Sequence, residues 1–320
     1  MSTELILTLP PNVHGRSLAT AKTMFEDSQV AAVRYNTGAT TPKSPQVVLS
    51  ELNELAQASG KAFYVDLKGK QLRVAQWTAH TYDKVKLNRP FEVELPAKIY
   101  FRGEGWVDII AVDEDAQTIY LEPGQVRFAL GEGQAVNIVS ENLTIHGYLT
   151  SQDSLYIEAA VGLGIDKFML SFVESGSDIL DFYNVYHSFA GSAKPAELVF
   201  KIESQKGLEF VSQLQGAGLP ENAHLMLARD DLALSLSDFG PDAMIATTKK
   251  LVAVDPQAIA ASRIFAGLES PGVVTLDDVK DVYSLQKFGY RRFMLSDGIS
   301  VKHFDAAMTA WRELTTMLAW

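Results

Sequence analysis

Residues 197–231 read ELVFKIESQKGLEFVSQLQGAGLPENAHLMLARDD. Two short apolar runs, Glu197–Glu203 and His224–Asp231, flank an amphipathic, helix-like stretch. Strand, helix, strand in this order is the unit from which parallel sheets are built. Each run is apolar inside and charged at its C-terminal end, in Lys201-Ile202-Glu203 and Arg229-Asp230-Asp231.

Working outward, six further runs share this character: Glu4–Leu9, Gln29–Asn36, Ala62–Leu67, Lys167–Phe172, Ala258–Phe265 and Arg292–Ser296. Helix-like segments follow the strands, among them Pro45–Ala58, Ser151–Leu163, Leu276–Phe288 and His303–Leu318. Asp153 and Asp277 fall in first helical turns, where the positive end of the helix dipole favours a carboxylate. Gly164 and Gly289 follow their helices as C′ glycines do. Eight strand–helix units predict an α/β fold, a (β/α)8 TIM barrel. One interval breaks the rhythm. Between the third strand and the helix at Ser151, the pieces FEVEL, KIYFR, WVDIIAVD, TIYLE and QVRFAL read as short strands separated by turns. We therefore expect a barrel of residues 1–73 and 148–320, with a small all-β domain, residues 74–147, inserted after the third strand. Insertions at that face usually cover a site, so a lid role is expected.

Composition narrows the function. With 28 basic and 39 acidic residues, the formal net charge is −11 and no basic stripe appears, so a nucleic-acid partner is not expected. No apolar run approaches the roughly 20 residues of a membrane helix, and the N-terminal apolar run lacks a basic flank, so a cytoplasmic location is expected. There is no cysteine, which removes disulfides and thiolate metal sites. His14, His80, His146, His187, His224 and His303 show no metal-ligand spacing. Arg291-Arg292 is expected to be a solvated approach to the last strand. Trp311 and Trp320 are read as core or interface residues, and an exposed aromatic patch there would indicate a homo-oligomer.

A barrel's active site lies at the C-terminal ends of its strands. The residues there are Arg34, Asn36, Asp66, Arg73, Lys201, Glu203, Asp230, Asp231, Ser262, Arg263 and Asp297. Charges at buried strand ends are costly unless paired or liganded. Glu203 and Asp231 are hard oxygen donors on neighbouring strands, suited to Mg2+ or Mn2+ completed by substrate oxygens and water. Strand alternation puts Lys201 on the same side as Glu203, where an ammonium could stabilise a transferring phosphoryl group or an enolate oxygen. Arg34 and Arg73 have the planar forks that suit phosphate.

Eight stretches carry a family resemblance. AVRYNTG (32–38) resembles the pyruvate kinase strand "(A)RxNxSHG", and VDLKGKQLR (65–73) resembles its "LDTKGPEIR". SFVESGSDIL (171–180) is similar to "SFVRxxxDV", FKIESQKGLEFV (200–211) to "SKIENxEG", and LARDDLALSL (227–236) to "VARGDLGxEI". AASRIF (260–265) and FMLSDG (293–298) look like "CATQML" and "xMLSGE". KIYFRGEGWVD (98–108) resembles a segment of the family's lid domain. The resemblance implies phosphate transfer between phosphoenolpyruvate and ADP with Mg2+ or Mn2+ and often K+. Carried over, Arg34 and Arg73 would contact phosphate, and Asn36 and Asp66 would help bind the monovalent cation. Lys201 would stabilise the phosphate and enolate, and Glu203 and Asp231 would ligate the divalent metal. Ser262 would stand in for a threonine near the enolate, and the Ala228–Asp231 backbone would receive the substrate carboxylate.

The chain also departs from that pattern. "SHG" is shortened to Thr37-Gly38, which removes a cation ligand and a nucleotide-side histidine. The "RGD" glycine is Asp230, the glutamine of "CATQML" is Arg263, and the arginine of "SFVR" is Glu174. The first-strand loop reads Thr8-Leu9-Pro10-Pro11, and the family's C-terminal regulatory domain is absent from this sequence. Three functions stay open: a phosphotransferase, a metal-dependent pyruvate-enolate lyase or aldolase needing no nucleotide, and a non-catalytic metabolite- or partner-binding descendant. A small carboxylate or phosphate ligand is expected in each enzymatic case.

Overall fold

The β-forming runs and the amphipathic stretches between them fold as their order demands. The computed structural model describes residues 3–11, 15–39, 41–76, 83–127, 130–193, 195 and 197–317. Trp320, Leu318, His14 and His80 lie outside them. In chain order the strands are β1 (Glu4–Thr8), β2 (Val30–Asn36), β3 (Ala62–Leu67), β4 (Lys84–Lys86), β5 (Phe91–Glu92), β6 (Ala97–Phe101), β7 (Gly105–Val112) and β8 (Thr118–Leu121). They continue as β9 (Val136–Val139), β10 (Thr144–Ile145), β11 (Lys167–Leu170), β12 (Glu197–Ile202), β13 (Ala223–Ala228), β14 (Ile259–Ala261) and β15 (Arg292–Met294). The chain divides into two compact units, Met1–Leu67 with Ser151–Trp320, and Lys68–Thr150.

The first unit is a closed parallel barrel in the order β1-β15-β14-β13-β12-β11-β3-β2, a (β/α)8 TIM barrel. Its lumen is filled by one inward side chain or more from each strand: Ile6, Ala32, Tyr64, Met169, Val199, Met226, Ile259, Ala261 and Met294. Helices Pro45–Ser59, Ser151–Gly162, Gly176–Ala190, Gln205–Ala217, Pro241–Val254, Leu276–Phe288 and Phe304–Met317 connect or follow the strands. Local chemistry sets their ends. Ser204 accepts the Gly207 N–H at one N-cap, and Thr275 with Asp278 forms a capping box at another. Gly289, at φ 117°, takes the left-handed turn that closes the helix before β15. Trp311 is core, with its ring against Phe265 and Phe293. The second unit contains a five-stranded antiparallel sheet, β4-β8-β7-β6-β9, and a β10-β5 pair. Its own core includes Phe91, Ile99, Phe101, Val107 and Ile119. Among the described residues, no helix is long and apolar enough to cross a membrane.

Three expectations are corrected. The sixth strand stops at Ala228, and Arg229-Asp230-Asp231 begin a helix, Arg229–Ser235. Paired aspartates disfavour a strand and suit a helix's first turn. The seventh strand stops at Ala261 because Ser262, Arg263 and Phe265 adopt φ of 65°, 60° and 58°, outside β space.

The third correction concerns charge, which is not confined to one end of the barrel. Arg292 is buried rather than solvated, at 8% exposure. Its guanidinium donates to Glu197 Oε1 (2.8 Å), Tyr64 Oη (2.9 Å) and Glu4 Oε2 (3.1 Å). Tyr64 in turn donates to Glu197 Oε2 at 2.7 Å, and Lys167 lies 3.2 Å from the same oxygen. These residues begin their strands, except Tyr64, which reaches down the lumen, so they close the N-terminal end. Arg292→Ala leaves the part-buried Glu197 carboxylate with Tyr64 and Lys167 alone among the contacts described, and we expect it to cost about 1–3 kcal/mol. Urea unfolding measures this; a loss under about 1 kcal/mol would show the network to be ornamental.

Candidate functional site

At the opposite end, strand termini bring charged side chains from β2, β3 and β12 together. Asp66, the fifth residue of β3, is fully buried. Arg34 Nη1 lies 3.0 Å from its Oδ2, and Lys201 Nζ lies 3.3 Å from the same oxygen. Ser171, just past β11, accepts from Lys201 Nζ at 2.7 Å and donates to Asp66 Oδ1 at 3.2 Å. Lys201 Nζ also sits 3.2 Å from Glu203 Oε1, as strand alternation requires. The other Glu203 oxygen accepts the Phe172 N–H at 2.7 Å. Arg34, Lys201, Glu203 and Asp231 are all buried.

Burial sets the electrostatics. It pushes the Glu203 carboxyl up to about 6; Lys201 opposes this, while the carboxylates of Asp231 and Asp66 add to it. Burial acts to lower the Lys201 ammonium, but Asp66 and Glu203 outweigh it and hold the group above its ordinary value. Arg34 is incompletely satisfied. Its Nε, and also its Nη1 despite the nearby Asp66 charge, have no hydrogen-bond acceptor among the described residues. Its Nη2 donates to Asp297 Oδ1 at 3.4 Å, so Nε is the open donor, and a buried donor without an acceptor is costly and suits an anionic oxygen.

The other expected residues divide. Asn36 bonds within this end of the barrel, its Nδ2 donating to Asp297 Oδ2 at 3.0 Å. Ser262 lies in the left-handed turn, and its carbonyl accepts from Arg229 Nε (3.1 Å) and Nη2 (2.5 Å). Arg229 is itself held by both oxygens of Asp281, at 2.7 and 2.8 Å. Asp230 and Arg263, two of the departures from the family pattern, pair with each other at 2.9 Å. Both are exposed, so the pair adds little stability, but it compensates the charge that Asp230 introduces. Arg73 belongs to the second unit, where it donates to Gly133 O and Gln71 Oε1. Ser171 is a member of the cluster that is not among the residues singled out from the sequence. Ser171 opens the SFVESGSDIL stretch at a strand end, a signal that was available.

Among the described residues no three His, Cys, Asp or Glu side chains gather as a metal-binding group. Two carboxylates, Glu203 and Asp231, still fit a divalent ion whose remaining ligands are water and substrate. Burial is the main cause of the raised Glu203 carboxyl, with Asp231 and Asp66 adding to it, and a cation beside it would act in the opposite direction. The pair Asn36 and Asp66 fits a monovalent cation poorly, because their oxygens already have donors.

An α/β barrel with a buried lysine–carboxylate cluster at its strand ends is the class that fold and geometry define. No protein-family model matches the chain. A pyruvate kinase of Thermoplasma acidophilum is 22% identical over 252 residues, covering 74% of this chain and 43% of that protein. The solved structure of a pyruvate kinase from Cryptosporidium parvum superposes with a TM-score of 0.69 at 17% identity, covering 94% of this chain and 65% of that one. The match thus spans less than half the length of the curated relative. The chain is thus similar to pyruvate kinases in fold and, distantly, in sequence.

The Glu203 carboxyl yields a pH prediction with a definite sign. A folded value of about 6 against an ordinary 4.5 means that its contribution is present below pH 4.5 and lost as pH rises through 6. The loss is about 2 kcal/mol at about 1.4 kcal/mol per unit. Without metal, Glu203→Gln should abolish that decline in urea unfolding between pH 4.5 and 7. A decline of equal size in the variant would rule Glu203 out as its source.

Proposed function

We propose that the protein is a divalent-metal-dependent enzyme of the phosphoenolpyruvate–pyruvate enolate pair, and that its reaction is phosphotransfer. The observation that carries this reading is the buried Arg34 Nε, which has no acceptor among the described residues, on a guanidinium that shares the Asp66 carboxylate with Lys201. Arg34 would receive an anionic oxygen of the phosphoryl group, and Lys201 would hold the bridging or enolate oxygen. Asp66 orients both cations through its two oxygens, and Ser171 fixes the ammonium from a third direction. Mg2+ or Mn2+, held by Glu203 and Asp231, would neutralise charge on the enolate and phosphoryl oxygens. Ser262 would carry a hydroxyl near the carbon that is protonated, and Arg229 holds the turn that presents it. Asp230, balanced by Arg263, would border the substrate carboxylate. Arg73 is proposed as a second phosphate contact. Purified protein given Mg2+, ADP and phosphoenolpyruvate should form pyruvate and ATP. Lys201→Met should lower kcat by about 10²–10³-fold, as loss of a charge-stabilising group does. Absence of both products in the parent protein would sink the phosphotransfer reading.

A second reading is a lyase or aldolase that stabilises the same enolate without a nucleotide. It is favoured by the shortened loop after β2, where Asn36 Oδ1 accepts the Gly38 N–H and no histidine follows. Under it, oxalate, an enolate mimic, binds with Mn2+ while ADP produces no calorimetric heat; tight ADP binding would reject it.

A further inference from the structure

We infer that the barrel supplies its own fixed cation where the resemblance places K+, so that no monovalent ion binds between Asn36 and Asp66. The side-chain oxygens of Asn36 and Asp66, and the Asp66 carbonyl, each already have a donor. Asp66 Oδ2 faces Arg34 Nη1 at 3.0 Å and Lys201 Nζ at 3.3 Å. Asp66 Oδ1 faces Lys201 Nζ at 3.4 Å and the Ser171 hydroxyl at 3.2 Å. The Asp66 carbonyl accepts both the Thr37 hydroxyl, at 2.7 Å, and the Thr37 N–H, at 3.2 Å. Asn36 Oδ1 accepts the Gly38 N–H at 3.1 Å, and its Nδ2 is directed to Asp297.

A K+ ion is held by oxygens that replace its hydration shell. Here it would have to displace those donors and then sit beside two full positive charges. The guanidinium already provides what the ion would: a positive charge next to a buried carboxylate. Arg34 stays protonated at any working pH and is covalently tethered, so this charge is permanent. The sequence change responsible is local. The loop Asn36-Thr37-Gly38 turns back at once and delivers a hydroxyl and two N–H groups to the Asp66 and Asn36 oxygens.

This inference concerns the ion alone and stands whether or not the proposed reaction is correct. Crystals of the full chain soaked in thallium(I), a K+ mimic, should give no anomalous density between Asn36 and Asp66; a peak there overturns it. Arg34→Met removes the fixed cation, so its Tm should rise in KCl relative to tetramethylammonium chloride at equal ionic strength, while the parent's should not. A parent Tm that rises selectively in K+, or a variant indifferent to it, counts against the inference. Calorimetric titration with Mn2+ and oxalate adds a third reading, with a Kd expected to agree within about twofold in the two salts; a difference of about tenfold, or 1.4 kcal/mol, contradicts it. If oxalate binds in neither salt, the enolate reading fails, while thallium and the melting curves still decide the question of the ion.

Discussion

The Asp66 carboxylate is the constraint on which this end of the barrel depends. It is wholly buried, and such a charge persists only when matched by positive groups at close range. Two answer it, Arg34 from the strand on one side and Lys201 from β12, with β11 and its Ser171 lying between. Removing the carboxylate would leave two cations facing each other across a low-dielectric space. Removing Lys201 would take a cation from both Asp66 and Glu203, and removing Arg34 would take one from Asp66. The cluster therefore holds together as a unit, and within it the Arg34 Nε has no acceptor among the described residues.

Much of the fold was legible in the sequence because it rests on period and order, which neighbouring residues reveal. Eight apolar runs separated by amphipathic stretches allow few arrangements, and the interval of short strands stood out by its lack of helical segments. Strand ends were less legible. Arg229-Asp230-Asp231 and Ser262-Arg263 continue apolar runs, yet backbone conformation changes abruptly at both. The Arg34, Lys201 and Glu203 set was legible because strand alternation fixes direction. Ser171 escaped notice because a hydroxyl at a strand end has no distinctive chemistry until a lysine is found 2.7 Å away.

Pairings across long stretches of chain were invisible. Asp230 and Arg263 each look disruptive when read singly against the family pattern; together they form one compensated change. Arg229 sits next to Asp230 in sequence but serves another purpose, since it turns away to hold the Ser262 carbonyl and Asp281. Arg292 reads as solvent-facing in the sequence because it stands at the approach to the last strand. In the folded chain it meets Glu197 inside the ring of strands, where Tyr64 links the two.

That basal network includes the seam of the barrel. β1 pairs with β15, and Arg292 reaches Glu4 across 288 positions of sequence. No turn or crossover helix ties these two strands directly, unlike most of their neighbours. The ring can close only after the intervening chain has brought its last strand back beside its first, a step with a large loop-closure cost. The Arg292–Glu4 pair places a directional contact at that junction, where chain connectivity helps least.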